Sequence, residues 1–381
     1  MKKLCFVILC IVGLHSSKAQ EALHNYGFLK IHEMGAIGFH HDLINDGITD
    51  DNQGLAGFFS NENIIISGAF RPIFRDMEIM VNKDLFLEIG VGVTNNTNFI
   101  LGDVVTPRSL PYLNLDYIND AFYNGDKNVT KVDGYAALAS KGDFIFPIGY
   151  GDRLRPLEII SKFDIPRARS AYFFENPNSP LTFNTSFDTN SYEAILTSIS
   201  NEEFWDLDSE TISRVRLTWT PESQIQNLVN TLDNLRVVGW HKIDREWKNL
   251  GNIAISGDFS EGYISSDIFL PDDYSIITFG GGFTPNDVQL ANYILTPNGD
   301  GTNDFLVFKE IALSPNNQLE IFNRWGRLVY NVENYTNSFQ GKANVSAVVE
   351  KNTILPAGIY FYILQLSDIG ITHQGYLYIT D

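Results

Sequence analysis

The chain has 381 residues, of which 44% are hydrophobic, and its formal net charge is −19. A chain of this length can form two or three domains. The acidic charge would repel phosphate backbones and anionic membrane surfaces, so nucleic-acid binding is disfavoured. The same charge is compatible with solubility outside the cell and with an affinity for divalent cations.

Residues 1–20 have the pattern of a secretory signal peptide. Two lysines precede an apolar run, Leu4–Leu14, which is too short to span a bilayer. Small residues upstream of the site predict cleavage between Ala19 and Gln20. Cleavage would remove both cysteines and three lysines, so the mature chain would have no disulfide and a charge of about −22. No later stretch is predicted to be a transmembrane helix.

Residues 21–285 lie between the predicted signal peptide and the C-terminal part of the chain, and we call this segment the passenger. It is predicted to be β-rich in two regions. In residues 21–155, short apolar segments such as Ile64–Gly68 and Phe99–Gly102 recur at a spacing of about twenty residues, which is typical of a β-solenoid. In residues 156–285, aromatic and β-branched runs predict a β-sandwich.

One short helix is predicted within the second region. Thr220 can cap it and Pro221 suits its first turn. The apolar stripe that supports it consists of Ile225, Leu228, Val229 and Leu232.

Residues 286–291 are predicted to be a linker, because the preceding glycines Gly280–Gly282 and Pro285 favour turns and loops. Beyond the linker, short strand-like runs bounded by Gly, Pro, Asn and Asp predict a small antiparallel sandwich at residues 292–381. Within it, Trp325 and Gly326 are predicted to form a tight turn, with Trp325 packed and Gly326 at positive φ.

The loop from Asn298 to Asp304 alternates oxygen-bearing side chains with glycines. This arrangement suits a hard cation such as calcium, although the distal Glu of an EF-hand loop is missing. The alternative is an Asx-rich turn held by its own hydrogen bonds. Bound calcium would be structural, and no other cofactor is required. The candidate ligands are Asn298, Asp300, Thr302, Asn303 and Asp304.

Four motifs occur in order in this C-terminal module: Thr296–Asp304, Asn323–Tyr330, Pro356–Tyr362 and Gly375–Ile379. Together they resemble the gliding motility-associated C-terminal domain of Bacteroidetes proteins exported by the type IX secretion system. The residues of these motifs that we select as sorting residues are Asn323, Arg324, Trp325, Gly326, Gly358, Tyr360 and Gly375.

The resemblance covers residues 292–381 and implies an immunoglobulin-like β-sandwich that acts as a sorting signal. It implies recognition by the type IX translocon and by a porin-like outer-membrane partner. The destination would be the cell surface or the medium, reached through the periplasm. The chain departs from the family at Asp381, where a basic residue is expected. Residues 40–155 also resemble passenger regions of proteins exported in this way.

For the remaining candidate site residues, a structural role is favoured over a functional one. His40–Asp42 with the nearby aspartates is a candidate metal cluster, but a solvated loop is favoured because adjacent strand residues point to opposite faces. The acidic pairs Glu202–Glu203 and Asp272–Asp273 lack the facing geometry of a glycosidase. The arginines of Arg153–Arg155 and Arg167–Arg169 are expected to pair internally. Buried packing is favoured over sugar stacking for Trp205, Trp219, Trp240 and Trp247.

The sequence therefore predicts an all-β, non-enzymatic exported protein whose passenger has a binding, adhesive or structural role. Its ligand would be an unknown surface or glycan. Two alternatives stay open: a secreted carbohydrate-active enzyme or glycan-binding protein, and an accessory component of the gliding or secretion apparatus.

Overall fold

The computed structural model describes residues 22–283, 292–345 and 354–380. These residues form two compact units. Unit 1 holds residues 22–186, 203–219 and 267–277, and unit 2 holds the other described residues. The predictions for residues 1–20 and for the linker 286–291 lie outside the described residues.

Twenty-nine strands hold about half of the described residues. The first twelve are β1 (Ala22–Asn25), β2 (Ala36–Phe39), β3 (Asp42–Asn45), β4 (Leu55–Ser60), β5 (Ile64–Ser67), β6 (Ile73–Leu87), β7 (Val91–Val105), β8 (Leu115–Ile118), β9 (Phe122–Asn124), β10 (Val132–Asp133), β11 (Ala136–Lys141) and β12 (Phe144–Phe146). The next twelve are β13 (Ile148–Tyr150), β14 (Arg153–Leu154), β15 (Leu157–Ile160), β16 (Ile165–Phe173), β17 (Leu196–Ile199), β18 (Phe204–Ser209), β19 (Arg214–Trp219), β20 (Leu235–His241), β21 (Trp247–Asn249), β22 (Ala254–Gly257), β23 (Gly262–Ser265) and β24 (Tyr274–Gly282). The C-terminal strands are β25 (Tyr293–Leu295), β26 (Asn317–Asn323), β27 (Leu328–Glu333), β28 (Gly358–Leu366) and β29 (Ile371–Ile379).

Parallel pairing between successive coils builds the N-terminal part of unit 1. β1 pairs with β3, β2 with β4, β4 with β6, and β8 with β11, all in parallel. Partners such as Ala36 and Leu55, or Leu115 and Ala136, lie about twenty residues apart in the chain. The predicted solenoid of stacked coils is therefore confirmed.

The inside of the coils is filled by one apolar residue above another. Phe39, Phe58 and Phe74 are buried, and the rings of Phe39 and Phe58 stack with their centroids 4.9 Å apart. Because a coil covers the next one along the axis, each coil depends on its neighbours to bury this apolar surface.

Buried asparagines join the coils at a corner of the solenoid. Asn45 is fully buried; its side-chain oxygen accepts hydrogen bonds from Asn25 Nδ2 and Thr49 Oγ1, each at 2.8 Å. Asn45 Nδ2 donates to the carbonyl of Phe70 in the following coil, also at 2.8 Å. One amide thus satisfies polar groups in the coils before and after it.

Antiparallel strands follow the parallel coils in unit 1. β11 pairs with β16, and β16 pairs with β18. A second antiparallel set joins β12, β15 and β19. This change of pairing occurs within the stretch where the sequence predicts the end of the solenoid.

The predicted helical segment of residues 220–232 consists of short 3₁₀ turns. Gln224 has a φ of 50°, which ends one turn and starts the next, so a continuous α-helix does not form. Ile225 and Val229 of the apolar stripe are buried. The 3₁₀ turns of the described chain are Pro221–Ser223, Ile225–Asn227, Leu232–Asn234, Pro271–Asp273, Lys309–Leu313 and Ser367–Ile369.

The C-terminal module has its own five-stranded sheet, in the order β25-β29-β28-β26-β27. β25 runs parallel to β29, and the other pairs are antiparallel. One face of the sheet carries alternating buried residues such as Leu319 and Leu364, and the connecting segments add Leu306, Phe308 and Phe339 to the same core. The predicted separate C-terminal β-module is confirmed.

We predict that Asn45→Ala lowers the free energy of unfolding by about 2–3 kcal/mol. The substitution removes the hydrogen bonds that Asn45 makes with the side chains of Asn25 and Thr49 and with the Phe70 carbonyl. Urea unfolding followed by circular dichroism measures the change. Asn63→Ala, at an exposed loop position, is the control and should stay within about 0.5 kcal/mol of the unsubstituted protein. Equal stability of the two variants would contradict the role of Asn45.

Candidate functional site

The hairpin between β26 and β27 presents the central sorting motif to solvent. Asn323 Oδ1 accepts hydrogen bonds from the backbone N–H groups of Trp325 and Arg327, each at 3.0 Å. Gly326 has a φ of 74°, which a residue with a Cβ rarely adopts. The predicted turn is confirmed. The expectation that Trp325 packs is wrong, because this side chain is 75% exposed and lies against the Arg324 guanidinium at 4.1 Å.

The other sorting residues belong to β28 and β29. Gly375 lies opposite Tyr362 in the sheet, and a Cβ at Gly375 would lie 2.7 Å from the Tyr362 hydroxyl oxygen. The glycine therefore makes room for the buried tyrosine ring. Tyr360 is buried and its hydroxyl donates to the Pro356 carbonyl at 2.9 Å, and Gly358 begins β28 at a φ of 153°.

The loop from Asn298 to Asp304 is held by its own side chains. The Asp304 carboxylate accepts hydrogen bonds from the backbone N–H groups of Gly299 and Gly301, at 2.6 and 2.7 Å. Asn298 Oδ1 accepts from Asp300 N, and Asp300 Oδ1 accepts from Thr302 N. These are the bonds of the Asx-rich turn, and they already engage most of the oxygens proposed as ligands. Calcium binding at this loop stays a prediction.

The aspartate that organises this loop gives a direct test. We predict that Asp304→Ala lowers the free energy of unfolding by about 1–3 kcal/mol in metal-free buffer, because two backbone donors lose a charged acceptor. Asp300→Ala, at an exposed position, should cost less. A melting temperature that rises with added CaCl₂, and no longer rises in Asp300→Ala, would establish calcium. A neutral Asp304→Ala in metal-free buffer would contradict the self-held turn.

The candidate metal cluster of the passenger does not converge. His40 Nδ1 donates to the Phe59 carbonyl, Asp42 accepts from Ile65 N, and Asp46 lies 2.6 Å from His24. In the part of the chain that the structure describes, no group of three or more His, Cys, Asp or Glu side chains is placed to hold a metal ion.

Three arginines of the two basic clusters pair with carboxylates of the passenger. Arg155 and Glu203 form a buried ion pair, and the Tyr172 hydroxyl donates to Glu203 at 2.5 Å. Arg167 and Arg169 pair with Asp116 and Asp208, respectively. The expected internal pairing is confirmed for these three arginines.

The four passenger tryptophans pack in the interior. Trp205, Trp219, Trp240 and Trp247 are all buried, and the rings of Trp240 and Trp247 meet edge to face with centroids 5.7 Å apart. Their expected packing role is confirmed.

Lys131 is a buried polar residue that the sequence did not single out. It is fully buried, and its Nζ donates to Asp103 Oδ2 at 2.7 Å, to the Asn128 carbonyl at 2.9 Å and to the Gly151 carbonyl. Burial raises the pKa of Asp103 to about 6, and the charge of Lys131 only partly offsets this effect. A lone lysine in a β-rich sequence carries no local pattern that distinguishes it from a surface lysine.

The raised pKa of Asp103 gives a pH dependence of known sign. Between its unfolded value of 3.8 and about 6, the folded state holds a proton that the unfolded state has lost. The contribution of this group to stability therefore falls as pH rises through that window and is constant above it.

We predict that the stability of the native chain relative to Asp103→Asn falls between pH 4.5 and 7, because the variant cannot titrate there. Denaturant unfolding at several pH values measures the difference. Comparing the two proteins at each pH cancels the titration of groups that do not interact with Asp103. Parallel pH profiles would contradict the assignment.

The outward apolar residues of the C-terminal sheet are not among the site residues predicted from the sequence. On β28 and β29, Ile359, Phe361, Tyr376 and Tyr378 are exposed although they alternate with buried residues. Alternate residues of a strand point to opposite faces of the sheet. The sequence signal for such a surface is therefore a strand whose residues are apolar on both faces.

Within the described residues, no helix is long and apolar enough to cross a membrane.

No match to the chain was found among curated proteins or among solved structures. One family model matches: residues 288–379 match the type IX secretion signal domain. The matched range contains the sheet, hairpin and loop described above. The C-terminal module of this chain is therefore a type IX secretion signal domain, which directs a protein to the cell surface or the medium.

Proposed function

We propose that this protein is an exported, non-enzymatic β-protein whose passenger binds, adheres to or builds a cell-surface structure. The C-terminal module would act as the sorting signal, read by the translocon and a porin-like outer-membrane partner after passage through the periplasm. The observation that carries the proposal is the match of residues 288–379 to the secretion signal domain.

The architecture of the passenger supports a binding or structural role. Stacked coils present a long, regular surface with rigid backbone, which is the surface that repeat proteins use for recognition. Glu203, an acid considered for hydrolysis, is bound by Arg155 and Tyr172 in the interior. The tryptophans considered for sugar stacking are buried, which disfavours the carbohydrate-active alternative.

We predict that deletion of residues 292–381 leaves the protein inside the cell envelope, because the passenger loses the signal that the secretion machinery reads. Immunoblots of medium, intact-cell surface and periplasmic fractions from the native host measure the distribution. Asn63→Ala in the full chain serves as the export-competent control. Delivery of the truncated protein to the surface at the level of the full chain would refute the sorting role.

A further inference from the structure

The outward face of the C-terminal sheet changes polarity along its strands. One cross-strand row joins Phe322, Phe361 and Tyr376, and the row beside it joins Ile359, Tyr378 and Ile294. At the other end of the same face, Gln318 pairs with Gln365 and Gln365 with Thr372. We call the first two rows the apolar patch.

Within the described residues, five of the six side chains of the apolar patch are open to solvent. Ile294, Ile359, Phe361, Tyr376 and Tyr378 are each 42–60% exposed. Single exposed apolar residues are ordinary on a protein surface, whereas a contiguous group of aromatic and branched residues marks an interaction site. The core of the module lies on the opposite face, so burial of these side chains is not needed to complete the core.

The sorting hairpin borders the apolar patch. A groove of about 540 Å³ is lined by Phe322, Phe361 and Tyr376 together with Gly326 of the hairpin. Trp325, which precedes Gly326 in the chain, is also exposed. The apolar rows and the hairpin therefore form one continuous surface.

The hairpin adds two positive charges to this surface. Arg324 and Arg327 are exposed, and neither has an ion-pair partner within the described residues. By contrast, Arg71, Arg108 and Arg155 pair with carboxylates of the chain. In a protein of net charge −19, two arginines with no carboxylate partner among the described residues, beside an apolar surface, favour a partner that presents acidic groups.

We propose that the apolar patch and the hairpin are the docking surface for a protein component of the export machinery. That component would place apolar side chains on Phe361 and Tyr376 and carboxylates near Arg324 and Arg327. This inference rests on the proposed sorting function and assigns it to one face of the module. A second copy of the chain is the less favoured occupant, because two strongly acidic chains repel each other.

The test compares two double variants on the same strands and the same face. Phe361→Thr with Tyr376→Thr removes an apolar cross-strand pair and introduces β-branched threonines, which suit a strand. Gln365→Ala with Thr372→Ala changes a cross-strand pair at the polar end. Export of the full chain in its native host, and melting of the purified full chain, are measured for both. Sedimentation gives the oligomeric state.

We expect the apolar-end variant to reduce export about tenfold or more, as for loss of a central contact in an interface. Its melting temperature should change by no more than about 5 °C, and the polar-end variant should be exported normally. Arg324→Glu with Arg327→Glu should also reduce export without a loss of stability, since these side chains lie outside the core.

Three results would overturn the docking surface. If the apolar-end variant is exported normally while the protein lacking residues 292–381 is retained, the sorting function stands and this surface does not serve it. If the apolar-end variant unfolds, normal export of the arginine variant rejects the proposal. A native dimer that the apolar-end variant converts to monomers, with normal export, would assign the face to contact between copies.

Discussion

Parallel backbone pairing between strands about twenty residues apart is the constraint on which the passenger depends. A coil in such a stack cannot bury its apolar face alone, so every coil depends on the coils on either side. The polar groups buried at the corners of the coils must then find their hydrogen-bond partners within the stack. Asn45 does this by bonding to Asn25 on one side and to the Phe70 carbonyl on the other.

The C-terminal module meets a different constraint. Its sheet has one face that completes a core and one face that stays open, and both carry apolar side chains near the sorting hairpin. The buried face explains Tyr360 and the small residue at position 375 beside Tyr362. The open face and the exposed Trp325 have no such role in the core, and so their side chains are free to contact a partner.

Much of this architecture could be predicted from local sequence. The recurrence of segments such as Ile64–Gly68 indicates stacked coils, and strands such as Gly358–Leu366 are visible from their aromatic and β-branched residues. The conformation of residues 220–232 was harder to predict, because Gln224 adopts a left-handed conformation that its residue type does not signal. Lys131 and Asp103 were missed because their pairing joins residues far apart in the chain.

Among the sorting residues, too, some features follow from the local sequence and others do not. The turn at Asn323–Arg327 follows from residue types that favour turns, and the structure places it as expected. The exposure of Trp325 did not follow, since large aromatics are more often packed. The sorting motif was recognised as a linear pattern, whereas its relation to Phe361 and Tyr376 requires the register of the sheet.

The proposed sorting function requires that residues beyond the passenger, together with a signal peptide, are sufficient to send a protein out of the cell. The most direct measurement is the fate of an inert, folded reporter that carries a signal peptide and residues 286–381, expressed in the native host. The sorting function predicts that this fusion reaches the surface or the medium, while the reporter with a signal peptide alone stays in the periplasm. Equal retention of both proteins would contradict it.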